Sequence, residues 1–340
     1  MTRPSFGPLW VMVGAQIALV TALLVWAAVG FPMPGFITGP GPGTTQASTT
    51  APAPAAPPPA TATATAADPA FALAPRPTAD RFPAAPAFAL LREQVRRYGW
   101  RPAGSAALRR LAVRLRELLP NGRFESIPGH PRLRNVVGSI AGRGKPIVVA
   151  AHYDVEARPR GFVGANDGAA GTAAVVWIAR AMAREPRRSS DRPVRFVLFD
   201  GEEEPAGCEP FLQCGLRGSK AYAKRHDGEL RSLVLLDYIA EKHGLRFPRE
   251  GGSDPALWSE LVDAAADVGV GDLFTNVEAG TIYDDHTPFT QRGLPAIDLI
   301  DFDYPQADTL ADTLAAVSPR SLDAVGEAVM LLVARLRRER

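Results

Sequence analysis

The sequence predicts an α/β domain built as a three-layer sandwich, with a mostly parallel sheet between two layers of helices. Segments with a helical apolar period alternate along the chain with short apolar runs. The runs, such as "PIVVAAHYD" over residues 146–154, are almost wholly apolar, which is typical of strands covered on both faces. Acidic residues gather where these runs end, and open α/β sheets bind ligands at such ends.

The first predicted helix covers residues 105–118, because its apolar residues recur at helical spacing and Ser105 can cap its start. Continuous apolar runs predict strands over 146–154, 194–199, 232–239 and 296–300. Helical spacing predicts further helices over 171–184, near Ser219, over 254–268 and, with an amphipathic pattern, over 318–338. Strands that alternate with helices in this way indicate a largely parallel sheet.

The N-terminal region predicts a membrane anchor over residues 1–31. No Asp, Glu, Lys or Arg lies between Arg3 and Asp68, and the apolar run over 9–30 is long enough to cross a bilayer as a helix. With Arg3 before the run and no basic residue after it until Arg76, the positive-inside rule places the remainder of the chain outside the cytoplasm. We therefore expect a single-pass protein of the inner membrane. A cleaved signal peptide, giving a secreted protein, is the alternative.

Residues 32–83 are rich in Pro, Ala, Thr and Gly and predict a disordered linker, because they hold too few large apolar residues to form a core. Residues 84–340 then form the catalytic domain. Its two cysteines, Cys208 and Cys214, either form a disulfide that closes a small loop or remain free thiols. The net charge of +2, with 22% charged residues, does not suggest a nucleic-acid partner.

Metal-binding residue types occur at the end of every predicted strand. They are His152 and Asp154; Asp200, Glu202, Glu203 and Glu204; Asp237; and Asp298, Asp301 and Asp303. Because the carboxyl ends of parallel strands meet at one edge of a sheet, we expect these groups to lie together. Asp167 joins them from a loop of small residues. Carboxylates with an imidazole suit zinc or, less specifically, manganese or magnesium.

These segments resemble the zinc aminopeptidases of the MH clan, and more closely their glutaminyl cyclase branch. The resemblance rests on "AHYDV", "FVGANDGAAG", "FDGEEE", "GLRGSKAYA", "LLDYIA", "DDHTPF" and "RGLPAIDLIDFDYP", in that order, and covers nearly the whole domain. It implies a three-layer sandwich whose central sheet is mixed but mostly parallel, and a cofactor of one or two zinc ions.

The resemblance also implies residue roles. His152 and Asp237 would surround one metal position, which Asp167 would bridge to a second position that includes Glu203. Glu202 would be the general base. Asp154 would orient His152, and Asp284 would hydrogen-bond near Glu202 and help to relay its proton.

One position departs from the family pattern. Relatives carry Trp-His-Thr after "FDYP", whereas "YPQADTLADTL" places Asp308 where their late histidine ligand stands. Asp308 can bind zinc, but it replaces a neutral ligand with an anion and so makes the zinc a weaker Lewis acid. His286 and His243 are alternative ligands, although a hydrogen bond at a helix start is the simpler role for His286.

The resemblance leads to three functional hypotheses. The first is a glutaminyl cyclase-like enzyme, which converts the N-terminal Gln of a peptide to pyroglutamate and releases ammonia. The second is a zinc aminopeptidase that hydrolyses the first peptide bond. The third is a metal-weak relative that binds peptides or cell-wall material without turnover. The first two take peptide N-termini as their substrate.

Overall fold

The computed structural model describes residues 72–339. The predicted anchor and most of the predicted linker lie outside these residues. Within residues 72–339, no helix has both the length and the apolar character that a membrane crossing requires.

The central sheet contains six of the strands. They are β1 (Arg123–Ser126), β2 (Arg134–Ile140), β3 (Ile147–His152), β4 (Val194–Phe199), β5 (Ser232–Leu236) and β8 (Ala296–Leu299). Their order in the sheet is β1-β2-β4-β3-β5-β8. Strands β4, β3, β5 and β8 are parallel, whereas β1 and β2 pair antiparallel. The expected mixed, mostly parallel sheet is confirmed. Strands β6 (Phe247–Arg249) and β7 (Phe274–Glu278) form a separate two-stranded sheet.

Helices cover both faces of the sheet. They are α1 (Ala84–Glu93), which continues into a π-helical turn (Gln94–Tyr98), α2 (Ala106–Leu118), α3 (Ala169–Met182), α4 (Phe211–Cys214), α5 (Arg217–Arg225), α6 (Pro255–Asp267), α7 (Thr287–Thr290) and α8 (Pro319–Leu336). Ser105 caps α2 as expected, because its side chain accepts a hydrogen bond from the Leu108 backbone N–H at 3.1 Å.

Strand β3 shows how the three layers arise. Successive side chains of a strand point to opposite faces, so Val149 and Ala151 enter the larger core, whereas Val148 and Ala150 enter the smaller one. The larger core includes the apolar faces of α3 and α8, and the smaller core includes Tyr222 from α5. A strand buried on both sides must be apolar throughout, which is the pattern that predicted it.

Residues before the predicted domain start are part of the packed structure. Phe82 is 1% exposed, and its ring lies so close to Gly326 of α8 that an added Cβ would overlap it. Glu327 accepts hydrogen bonds from the backbone N–H groups of Arg81 and Phe82. The packed domain therefore extends N-terminally beyond residue 84, into the segment assigned to the linker.

Cys208 and Cys214 form a disulfide, the first of the two expected alternatives. The bond closes the loop that leads from Glu204 into α4.

Candidate metal centre

The carboxyl ends of the parallel strands bring the predicted site residues together. His152 is the last residue of β3, which lies between β4 and β5 in the sheet. Glu202 and Glu203 follow β4, and Asp237 follows β5. Strand order thus places these acids on either side of one imidazole.

His152 lies at the centre of the first group of donors. Its Nε2 atom is 3.1 Å from Asp167 Oδ1 and 3.4 Å from Asp237 Oδ1, and all three side chains are buried. Burial alone would lower the pKa of His152, but the hydrogen bonds and charges of Asp167 and Asp237 raise it well above the ordinary value. The two carboxylates therefore favour positive charge at this imidazole.

A rigid loop presents Asp167 to this histidine. Asp312 accepts hydrogen bonds from the backbone N–H groups of Asn166 at 2.9 Å and Asp167 at 3.0 Å. Gly168 has a φ of 76°, and a Cβ there would overlap the Asp154 carbonyl, so only glycine suits this position. Asp312 was not predicted, because its only signal in the sequence is its place in "YPQADTLADTL".

Glu202 and Glu203 form the second group of donors with His152, with ligand atoms within 4.8 Å of one another. Burial raises the pKa of both glutamates well above the ordinary value. Asp284 adds to this effect at Glu202, and Asp167 adds to it at Glu203. Such crowding of buried carboxylates is unfavourable unless protons or a cation offset it.

Asp154 holds the backbone of this loop. Its Oδ1 atom accepts a hydrogen bond from the Glu202 N–H at 3.2 Å. It lies 3.9 Å from His152 Nδ1, which is too far for the hydrogen bond expected to orient the ring. Asp154 therefore lies beside His152 as predicted, but its hydrogen bond goes to the loop that carries the glutamates.

Tyr238 links Asp308 to the first group. The tyrosine hydroxyl is 2.9 Å from Asp308 Oδ1 and 3.2 Å from Asp167 Oδ2. Asp308 has a φ of 55° and is exposed. It belongs to neither donor group around His152 in the part of the chain that the structure describes. Tyr238 was not predicted, because nothing in "LLDYIA" distinguishes it from a core tyrosine.

Two of the acids expected at this edge lie elsewhere. Asp301 interacts with Glu241, and its burial together with this contact raises the pKa of Asp301 to about 9. Asp303 forms an exposed ion pair with Arg246. The expectation that they join the site is therefore wrong, because their side chains interact with Glu241 and Arg246 instead. Asp200, the first acid after β4, accepts hydrogen bonds from the Arg134 N–H and the Tyr153 hydroxyl.

The donor set fits a divalent cation. One imidazole lies among buried carboxylates, and two of the atoms here, His152 Nδ1 and Asp154 Oδ2, have no hydrogen-bond partner among residues 72–339. A cation would offset the repulsion that raises the pKa of Glu202 and Glu203. Imidazole and carboxylate ligands in small number suit zinc.

An α/β sandwich with such donors at the carboxyl ends of its parallel strands is typical of metal-dependent enzymes. A family model described as Peptidase family M28 matches residues 135–333, which is more than half of the chain. The chain belongs to Peptidase family M28, and its relatives are enzymes.

Named relatives include both cyclases and exopeptidases. Glutaminyl-peptide cyclotransferase of Bos taurus is 27% identical over 288 residues, which cover 70% of this chain and 78% of the bovine protein. A solved glutaminyl cyclase of Porphyromonas gingivalis matches with a TM-score of 0.66 and 27% identity, over 76% of this chain and all of that one. A Zn-dependent exopeptidase of Parabacteroides distasonis, at 23% identity, shares the fold with a TM-score of 0.67 over 77% of this chain and all of that one.

Proposed function

We propose that the protein is a zinc enzyme that acts on the free N-termini of peptides, with cyclisation of an N-terminal Gln as its reaction. The observation that carries this proposal is the adjacent buried pair Glu202 and Glu203 beside His152, because it can divide metal binding and proton transfer between two carboxylates. The names of the bovine relative and of the Porphyromonas gingivalis structure support cyclisation.

The proposed zinc ligands are His152, Asp167, Glu203, Asp237 and Asp308, which can accommodate one or two ions. Zinc would supply a Lewis acid that polarises the carbonyl group under attack. Asp308 would have to move toward Asp167 from its contact with Tyr238, and its exposed position leaves room for that movement.

Glu202 is the proposed general base. In cyclisation, the α-amine nitrogen forms a bond to the side-chain amide carbon of the N-terminal Gln, and the bond from that carbon to its NH₂ group breaks. Glu202 takes the proton that the amine loses and gives it to the departing ammonia. Burial raises the pKa of Glu202 above the ordinary carboxyl value, which is the direction typical of a carboxyl group that both accepts and donates a proton. The negative charge of Asp284 contributes to the raised pKa of Glu202. We assign this electrostatic effect to Asp284 as its role in the proton relay.

Hydrolysis of the first peptide bond is the second candidate reaction. It is favoured by the family itself, which is a peptidase family, and by the exopeptidase fold neighbour. Glu202 would then take a proton from the attacking water and deliver it to the leaving amine. The same residues serve both reactions, so the substrate must decide between them.

We also propose that residues 1–31 anchor the enzyme in the inner membrane with the domain outside the cytoplasm. The uncharged apolar run and the disulfide between Cys208 and Cys214 support this proposal, since disulfides persist mainly outside the reducing cytoplasm.

Mass spectrometry of a Gln-initiated and a Leu-initiated peptide, incubated with the zinc-loaded protein, tests the reaction. Cyclisation removes ammonia from the Gln peptide only, whereas hydrolysis removes a whole residue. The Glu202→Gln protein is the matched control for a contaminating activity. If neither peptide changes with protein that holds its zinc, both enzyme proposals fail and a binding role remains.

A further inference from the structure

A separate group of buried ionisable side chains lies outside the donors around His152. It contains Asp284 and His286 at the start of α7, Asp298 in β8, and Glu250 after β6. These four side chains are between 0% and 3% exposed. Ligand atoms of Asp284, His286 and Asp298 lie within 4.8 Å of one another.

Glu250 fixes the orientation of the His286 ring. Its Oε2 atom is 3.2 Å from His286 Nε2, and its Oε1 atom accepts hydrogen bonds from the backbone N–H groups of Gly252 and Ile282. Burial alone would raise the pKa of Glu250, but its contacts with His286 and these N–H groups lower it below the ordinary value. A carboxylate at this distance favours the tautomer with its proton on Nε2, which leaves the lone pair of Nδ1 available. A carboxylate behind a histidine in this way is the usual support for a metal-binding imidazole.

The atoms that His286 Nδ1 faces also lack partners. Nδ1 is 3.4 Å from Asp298 Oδ2. This is close to the distance between two ligand atoms in a tetrahedral site whose metal–ligand bonds are about 2.1 Å long. In the described part of the chain, neither oxygen of Asp298 has a hydrogen-bond partner, nor do His286 Nδ1 and Asp284 Oδ2. Unsatisfied buried polar atoms are rare in proteins, and an ion is one of their recognised explanations.

Charge supports the same explanation. Glu250, Asp284, Asp298 and the neighbouring Asp285 are buried carboxylates, whereas His286 is the one imidazole among them. Asp298 and Asp284 face each other, and they can share a hydrogen bond only if one of them holds a proton. A divalent cation satisfies both carboxylates without that proton.

We propose that Asp284, His286 and Asp298 form an additional site for a divalent cation, with Glu250 supporting the histidine. Two carboxylates and one imidazole suit zinc or manganese. The three ligands are different residues from those proposed for the catalytic zinc. A cation here would fix the position of Asp284 and would offset the negative charge by which Asp284 raises the pKa of Glu202, so its binding would modulate the proposed proton relay.

Metal analysis of dialysed, zinc-loaded protein tests this site. We expect Asp298→Asn and His286→Gln to contain one equivalent of zinc fewer per chain than wild type. Asp301→Asn is the matched control, because Asp301 is a buried acid on the same segment that interacts with Glu241 instead. Glu203→Gln should lose zinc from the other site, so the Glu203→Gln/Asp298→Asn protein should lose more than either single variant.

Thermal unfolding with and without added zinc gives a second measurement that is independent of metal analysis. In the Glu203→Gln background, added zinc should still raise Tm, and a further His286→Gln change should reduce that increase. The proposal is overturned if Asp298→Asn keeps the zinc content of wild type, or if zinc raises Tm equally with and without His286. A shared proton between Asp284 and Asp298 would then explain the cluster.

Peptide turnover is measured separately, so a protein that holds this metal but converts no peptide would contradict only the proposed reaction.

Discussion

The hydroxyl of Tyr238 lies 2.9 Å from Asp308 Oδ1. The same hydroxyl lies 3.2 Å from Asp167 Oδ2, and because it has one hydrogen it can donate to only one of the two carboxylates at a time. Tyr238 therefore connects two of the proposed zinc ligands.

Replacing Asp308 should change zinc affinity. We expect Asp308→His to bind zinc more tightly, by ~10–100-fold, because a neutral imidazole replaces one of the carboxylate ligands. Asp308→Ala should bind zinc more weakly. Metal titration of the purified proteins measures both changes, with Asp303→Ala, an exposed acid paired with Arg246, as the control. Three indistinguishable curves for wild type, Asp308→His and Asp308→Ala would remove Asp308 from the ligand set.

Glu202→Gln and Glu203→Gln should have different effects although the residues are adjacent. The first should abolish turnover and leave zinc content nearly unchanged, because an amide cannot act as a general base. The second should lose zinc and activity together. Zinc analysis beside a peptide assay separates these outcomes, and equal zinc loss in both proteins would contradict the division of roles.

Phe82→Ala should lower the free energy of unfolding by ~3–5 kcal/mol, the usual cost of truncating a buried aromatic side chain. Phe82 fills the space beside Gly326, so its removal leaves a cavity against α8. Leu73→Ala, in the same segment but 47% exposed, should change stability much less. Urea denaturation measures both. A chain that starts at residue 84 and matches the stability of one that starts at residue 72 would show that this packing is dispensable.

Glu125→Gln should destabilise the protein at pH 7, and the difference from wild type should shrink as pH falls. Glu125 is 3.1 Å from His226 Nε2 and 2.7 Å from Arg123 Nη2. Burial alone would raise the pKa of Glu125, but these partners lower it to about 2. A lowered carboxylate pKa stabilises the fold above the unfolded value of 4.5, and that contribution is lost as pH falls toward 2.

Urea denaturation between pH 7 and pH 3 measures this convergence. Glu229→Gln is the control, because Glu229 contacts the same histidine from an exposed position and should contribute less. A difference between wild type and Glu125→Gln that stays constant over this range would show that the carboxylate charge has no part in stability.

The parallel half of the fold was predictable because burial on both faces leaves an unmistakable apolar run. Strand β2, "RNVVGSI", was missed because it mixes polar residues with apolar ones, and the exposed, four-residue β1 carries too short a signal. Antiparallel pairing adds no apolar run of its own. The mixed character of the sheet was therefore expected only from the family resemblance.

The donors around His152 were predictable from their positions at strand ends, but the residues that hold them were not. Asp312 and Tyr238 act through contacts made by distant parts of the chain, which no local pattern encodes. Asp301 and Asp303 were wrongly expected at the site. A strand end predicts that a residue lies near the edge of the sheet, but not the direction in which the following residues point. His286 was expected as a hydrogen bonder, and it does contact Glu250.

The strand order also has a consequence for biosynthesis. Strand β3 reaches its final neighbours only after β4 and β5 have been made, and such long-range pairing slows folding. The proposed zinc ligands would therefore meet late, when the central sheet is nearly complete. Zinc that binds only this native arrangement would draw the folding equilibrium toward it by mass action. The free zinc concentration during folding would then govern how much newly made chain matures, as well as how fast the mature enzyme works.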